Sequence, residues 1–500
     1  MTDVASPTYV AEEAPAKGRT SWFTIPLTAL AIVLSSYFFI AAFSLYWLTA
    51  IGAAIGAFIV PRKLLEKGTL AWLTGSWLAV AALTQGISGF FPDYSHSREI
   101  FAEIGMWLAL GLAARAYLLY TEHPATFEGL KASIAERPLD RWFAKSLLRP
   151  IDAVFTRIGI ANTIVLLPVT VMLFLPSTVN YLVLAAYGTA ALLIQFPQDL
   201  MDHANIHNRI FTPKNDASPR VKKILRGCQL YYENIECLLA LQIPQYYRIQ
   251  HNYVHHVEDN GPADSQTTLP YDRMSFFDFA RHALRQGFDL VTGYQVFQYL
   301  KARGKQKQVR ELARGIVIWY AFLAVIACFN PIAAVVVFVS RFVGGNILSL
   351  FSFWQHGLID EHDVLDVHGN STNYAGTEHG NLGHDYHVEH HLRPGRHWAD
   401  YYEQYAKAAA AEGGHKALVM DKDTFGPLTF VAALWRKDAD AIAHYGQIHG
   451  IEAGDTASLA QLVRERTRPV GADERTGIMA QADALMGKVM AMALPKAFRV

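Results

Sequence analysis

The chain has 500 residues, of which 52% are hydrophobic, and its 44 basic and 44 acidic side chains cancel. Zero net charge gives no electrostatic reason for nucleic acid or another polyanion as partner. Cys228, Cys237 and Cys328 are too few and too far apart for a disulfide framework, a CxxC metal knuckle or a four-cysteine iron–sulfur site, so a reduced, cytoplasmic active face is expected.

Residues 1–23 read as a polar cytoplasmic tail bearing Lys17 and Arg19, without a cleavable leader. Region 24–158 is expected to hold four spans and a cytoplasmic loop. Two spans lie between Thr24 and Val60, held inside by Arg62, Lys63 and Lys67; Leu70–Phe91 and Ile100–Tyr120 follow, around the loop Pro92–Glu99. Glu103 and Arg115 fall within a predicted span, where charges usually pair; a substrate-headgroup contact is the alternative. The loop 121–158, with Lys131, Arg137, Arg141, Lys145, Arg149 and Arg157, should stay inside.

Region 159–398 opens with a helical hairpin, Gly159–Phe196, turning near Pro176, and later has a second, Gly315–Phe353, turning at Asn330-Pro331. Between them, Gly227–Gln250 suits an interfacial or protein-buried helix, Phe276–Leu300 is amphipathic, and Lys301–Arg310 is a basic cytoplasmic loop. Residues 399–500 read as a soluble helical cap and contain no His-Pro-Gly-Gly haem motif. The expected architecture is an all-α integral membrane protein with about eight transmembrane helices and a cytoplasmic histidine-rich cap.

Three clusters carry the chemistry: His203-x3-His207, His251-x3-His255-His256 and His387-x2-His390-His391. Residues three or four apart share a helix face, so each cluster can aim two or three imidazoles at one point. Imidazole suits iron, and these histidines outnumber the roughly four ligands of a structural zinc, which usually include cysteine. The hairpin order puts all clusters on the cytoplasmic side. Asp202, Glu258, Asp259, Glu361, Asp385 and Glu389 flank them and either orient imidazoles through the second ring nitrogen or lie solvated. His384, one turn before His387, is expected behind the ligands or in place of one; His362, His368, His379 and His397 read as loop or supporting residues.

The order hairpin, His-x3-His, His-x3-His-His, hairpin, lone His356, His-x2-His-His resembles the membrane-bound fatty acid desaturase and hydroxylase superfamily, which includes the alkane hydroxylases, over roughly Gly159–Trp398. Asn260-Gly-Pro-Ala-Asp264 is similar to the family's continuation after the second cluster. The resemblance implies two iron ions held by His203, His207, His251, His255, His256, His356, His387, His390 and His391, with His356, in Trp354-Gln355-His356-Gly357, as the ninth ligand. It implies O2 as co-substrate, a fatty-acyl or alkyl chain in the membrane, and an external donor such as ferredoxin, rubredoxin or a b-type cytochrome with its reductase. The middle spacing is more like the alkane hydroxylases than the His-x2-His-His of acyl desaturases, which leaves alcohol and alkene products both open. The four spans before Gly159 exceed the family core. Rival readings are a metal transporter with zinc-binding histidine loops and a lipid-binding relative without oxygenase activity; the first is disfavoured because segments 159–196 and 315–353 carry only Arg341 as a charge.

Overall fold

The computed structural model describes residues 60–89, 96–174, 181–412, 414–421, 427–452 and 454–470. The expected N-terminal tail, the first two spans, residues 92–95 of the Pro92–Glu99 loop, the side chain of Glu103, the turn at Pro176 and residues 471–500 of the expected cap lie outside them. The chain is mostly helical. Helices α1 (Thr69–Gly89) and α2 (His96–Thr121) occupy the expected third and fourth spans, and Arg115 on α2 donates to the Val60 carbonyl at 2.8 Å. The amphipathic helix α3 (Pro138–Ser146) precedes α4 (Ala153–Met172) and α5 (Tyr181–His207), the two arms of the first hairpin.

A basic helix, α6 (Pro219–Tyr231), then widens into a π turn at Tyr232–Glu236. Left-handed turns at Leu241 (φ 64°) and Gln245 (φ 66°) fold the rest of the expected Gly227–Gln250 helix into the protein core with Ile243 and Tyr246. After α7 (Phe276–Thr292), the second hairpin is α8 (Gln306–Phe329), α9 (Pro331–Gly344) and α10 (Asn346–Gln355). Asn330 accepts from the Ala333 backbone amide and Pro331 occupies the first helical position, so one dipeptide ends α8 and starts α9.

Among the described residues three helical stretches are long and apolar enough to cross a membrane: Pro150–Leu173, Gln306–Phe329 and Pro331–Gln355. Only 28% of the apolar window in Gln306–Phe329 is buried within the protein. Val317, Tyr320, Val325 and Phe329 on α8, and Ile332, Val335 and Val343 on α9, lie exposed, an outward apolar face that hydrocarbon accommodates and water does not.

One large apolar core joins α1, α2, α4, α5, α8 and α9 through Trp77, Tyr117, Val165, Tyr187, Trp319 and Val337. A second, around Phe155, Leu200, Phe211 and Trp398, sits where α3, α4 and α5 meet the later loops. The all-α expectation needs one correction. Strand β1 (Asn373–Ala375) pairs in parallel with β2 (Val419–Asp421), which pairs antiparallel with β3 (Gly446–Gln447). Strands this short carry no alternating pattern long enough to read from sequence. Trp354 and Tyr374 share a third core with Met420, Phe430, Ile442 and Leu459 of the tail.

The backbone of α8 touches the loop that leads into the second histidine cluster: a Cβ on Gly315 would lie 2.0 Å from the Pro244 carbonyl oxygen. Gly315→Ala should therefore force the two apart and destabilise the fold by about 1–3 kcal/mol, seen as earlier thermal unfolding. An unchanged melting profile would mean that this contact is loose.

Candidate metal centre

His203 and His207 occupy the last turn of α5, one above the other, with ring centroids 5.2 Å apart. The second cluster lies on a helical run whose central turn, His251–His255, is π-type. A π turn brings residues five apart into line, and His256 Nε2 lies 3.0 Å from His251 Nε2; the extra residue per turn lets three imidazoles from one segment face one centre. His387, His390 and His391 sit on the short helix α11 (His387–Leu392). His356 ends α10. Gly357 follows because a Cβ there would lie 2.1 Å from the Phe353 carbonyl oxygen.

All nine histidines converge, although they span residues 203 to 391. The ring nitrogens of His203, His207, His251 and His390 lie within 4.8 Å of one another, as do those of His255, His356, His387 and His391, while His256 groups with His390 and His391. Facing Nε2 atoms are 3.0 Å apart for His203 and His390, 3.4 Å for His251 and His390, and 2.9 Å for His356 and His387. Nitrogens about 2.1 Å from a first-row ion are about 3.0 Å apart at right angles and about 3.4 Å apart at tetrahedral angles, and these spacings match such edges.

The outer nitrogens are held by acceptors. His255 Nδ1 meets Asp264 at 2.6 Å, His391 Nδ1 meets Asp259 at 2.6 Å, and His356 Nδ1 donates to the Asn370 carbonyl at 2.9 Å. His390 Nδ1 donates to the Tyr401 hydroxyl at 3.0 Å, which in turn donates to the Arg396 carbonyl. The Asp264, Asn370 and Tyr401 partners fix the proton on Nδ1 of His255, His356 and His390 and leave the Nε2 lone pair facing the centre, the arrangement that metal-ligating histidine requires. The Nε2 atoms of His207 and His391 are buried without a hydrogen-bond partner among the described residues, a costly state that a metal ion relieves.

Electrostatics agree. Burial, reinforced by neighbouring imidazoles, holds His251, His387, His390 and His391 well below the ordinary histidine range, and His356 falls to about 4. These rings are neutral at pH 7 and available as donors. His255 is the exception: burial alone would lower it, but the Asp264 carboxylate raises it, while Asp264 itself is lowered despite its burial.

The flanking candidates divide. Asp202 faces away from the imidazoles into a buried network, accepting from Tyr232, from Gln242 at 2.6 Å and from Gln198 at 3.1 Å. Glu258 accepts from Tyr299 and Arg303. Glu389 is held by Asn373 and His415, and Asp385 is fully buried beside α11. His384 stacks on His203 at 4.5 Å but joins none of the converging groups. Glu361 and His362 lie exposed, His368 bonds Asp366, His379 bonds the Pro124 carbonyl and His397 bonds Asp152. Sequence reasoning did not single out Tyr401, Asn370, Asn373 or His415, all distant from a histidine cluster or beyond the expected core.

Tyr401→Phe keeps the ring and removes only the acceptor for His390. Metal affinity should fall about 10–100-fold in Fe(II) titrations of metal-stripped protein, whereas Tyr402→Phe should leave it unchanged. Equal affinity for both variants would show that the hydroxyl does not support the centre.

No curated protein and no solved structure matches this chain. Residues 206–422 match the family model for fatty acid desaturases. That segment carries eight of the nine converging histidines, all but His203, and by this match and its histidine order the chain is similar to the membrane-bound fatty acid desaturase and hydroxylase superfamily.

Proposed function

We propose that this chain is an integral-membrane, non-haem di-iron oxygenase that uses O2 and externally supplied electrons to desaturate or hydroxylate a long acyl or alkyl chain. The observation that carries the reading is the pair of four-histidine groups in one buried volume, joined through His256, His390 and His391. His203, His207, His251 and His390 would hold one ion, and His255, His356, His387 and His391 the other, with His256 between them. Such ions supply what side chains lack, the redox power to break an unactivated C–H bond. The protein's own part is to keep Nε2 lone pairs inward through Asp264, Asn370 and Tyr401, to exclude water, and to fix one carbon of a flexible chain beside the centre. Abstraction followed by oxygen return gives an alcohol, and a second abstraction from the adjacent carbon gives an alkene.

The reading includes about eight spans and a cytoplasmic active face, because both hairpins end at histidines and the connecting loops are basic. Cysteines placed at Arg141 and Lys305 should resist an impermeant thiol reagent added outside, and one at Ser95 should react. Labelling of Lys305→Cys from outside would place the second cluster across the membrane from its partners and end the shared-site model.

Purified protein should hold about two irons, and His390→Ala should lose both iron and turnover while still inserting. His368→Ala should retain both. Mass spectrometry of lipids from cells with and without the gene should reveal a chain altered by two hydrogens or one oxygen. Stoichiometric zinc without iron, in protein made with ample iron, would replace the oxygenase by a zinc-binding reading.

A further inference from the structure

Away from the histidines, an apolar groove of about 480 Å³ runs between α4 and α6, lined by Phe143, Gly159, Ile160, Met201, Ile224 and Gly227 among others. The one carboxylate in its lining, Glu236, is turned inward to Gln198 at 3.1 Å. Its size is that of small-molecule sites generally, about 300–1,000 Å³. It is not a passage to the metal centre. Met201 precedes His203 by two residues, about 200° around α5, so the groove lies on the opposite side of that helix.

Two glycines keep it open. Gly227 sits inside α6, where glycine weakens a helix, yet a Cβ there would meet nothing within 4 Å; no packing inside the protein requires it. Gly159, on the facing helix, would bring a Cβ to 3.0 Å from the Met201 methyl. Charge lies along the helix that forms one wall. Helix α6 carries Arg220, Lys222, Lys223 and Arg226, all exposed, and no acidic residue. Adjoining it, α3 and the residues after it expose Arg141, Lys145 and Arg149 beside Leu139, Trp142 and Leu148. Basic residues interleaved with tryptophan and aliphatic side chains, at the end of the span Pro150–Leu173, are the composition of a membrane–water boundary.

We infer that this groove binds one acyl chain of an anionic membrane phospholipid, its phosphate held by the basic side of α6. The occupant is a bound lipid and not the substrate, and the inference needs only that the chain lies in a membrane, not that it is an oxygenase. The test is native mass spectrometry of the full chain released from membranes containing phosphatidylglycerol and phosphatidylcholine. The wild type should retain one phosphatidylglycerol in preference to phosphatidylcholine. Gly227→Leu, whose Cβ would meet nothing within 4 Å and whose side chain extends from a groove-lining position, should lose that lipid. The combined variant Arg220→Gln, Lys223→Gln and Arg226→Gln should lose the headgroup preference, by about fivefold for each charge removed. Iron content and turnover should persist in both, which separates failure here from failure of the di-iron reading. Equal retention of the two lipids by all three proteins would overturn the proposal. So would loss of turnover in Gly227→Leu with iron intact, because the groove would then be a substrate path.

Discussion

Nine imidazoles with their lone pairs aimed into one buried volume are the constraint on which the rest of this structure depends. Spacings of 2.9 to 3.4 Å between facing Nε2 atoms bring acceptor against acceptor unless a cation or a proton lies between them. Burial keeps most of the rings unprotonated. Such a cluster is held against its own preference by the surrounding fold, and binding of metal becomes folding free energy for the segments that bear it. Hence His203, His207 and His356 stand on helix ends anchored in the bundle, at the foot of α5 and α10, and not on free loops.

The third cluster shows how this anchoring is divided. Helix α11 has six residues, too few to be stable alone. It is clamped from outside its own segment: Asn373 of β1 binds both Glu389 and the Val388 amide, His415 binds Glu389, and Tyr401 binds His390. Because β1 is paired to β2, the tail is tied to the same frame. A chain ending near residue 398 would keep every histidine ligand candidate yet lose Tyr401, His415 and the partner strand.

What could be read from sequence follows from what is local. Helix ends, the Asn330-Pro331 turn and histidines at helical spacing are encoded within a few residues, and the structure has them. The supporting contacts are different in kind. Successive residues on a helix point about 100° apart, so Asp202 and Glu258, chosen for standing beside His203 and near His256, face other partners. The carboxylates that reach the converging imidazoles, Asp259 and Asp264, lie after the helix, where left-handed Asp259 (φ 48°) and Asn260 (φ 63°) turn the chain back on itself. Asp259 meets a histidine 132 positions later, a pairing no single-sequence period can show. The π turn at His251–His255 was equally hidden, since it differs from an α turn by one inserted residue and not by composition.

The same geometry bears on how a C–H bond could be chosen. Phe196 on α5 and Phe351 on α10 stack at 5.3 Å with their planes 7° apart, and Phe351 also packs at 5.6 Å against His384. Phe196 lies seven residues before His203, about 10 Å along the helix. The aromatic pair thus joins the two hairpins about two turns of α5 before the imidazoles. On the proposed reading, a hydrocarbon chain approaching from the bilayer is positioned by rings borne on the same two helices as His203 and the residue next to His356. A shift in either helix would then move ligand and substrate guide together, which preserves the distance on which oxidation of one carbon rather than its neighbour depends.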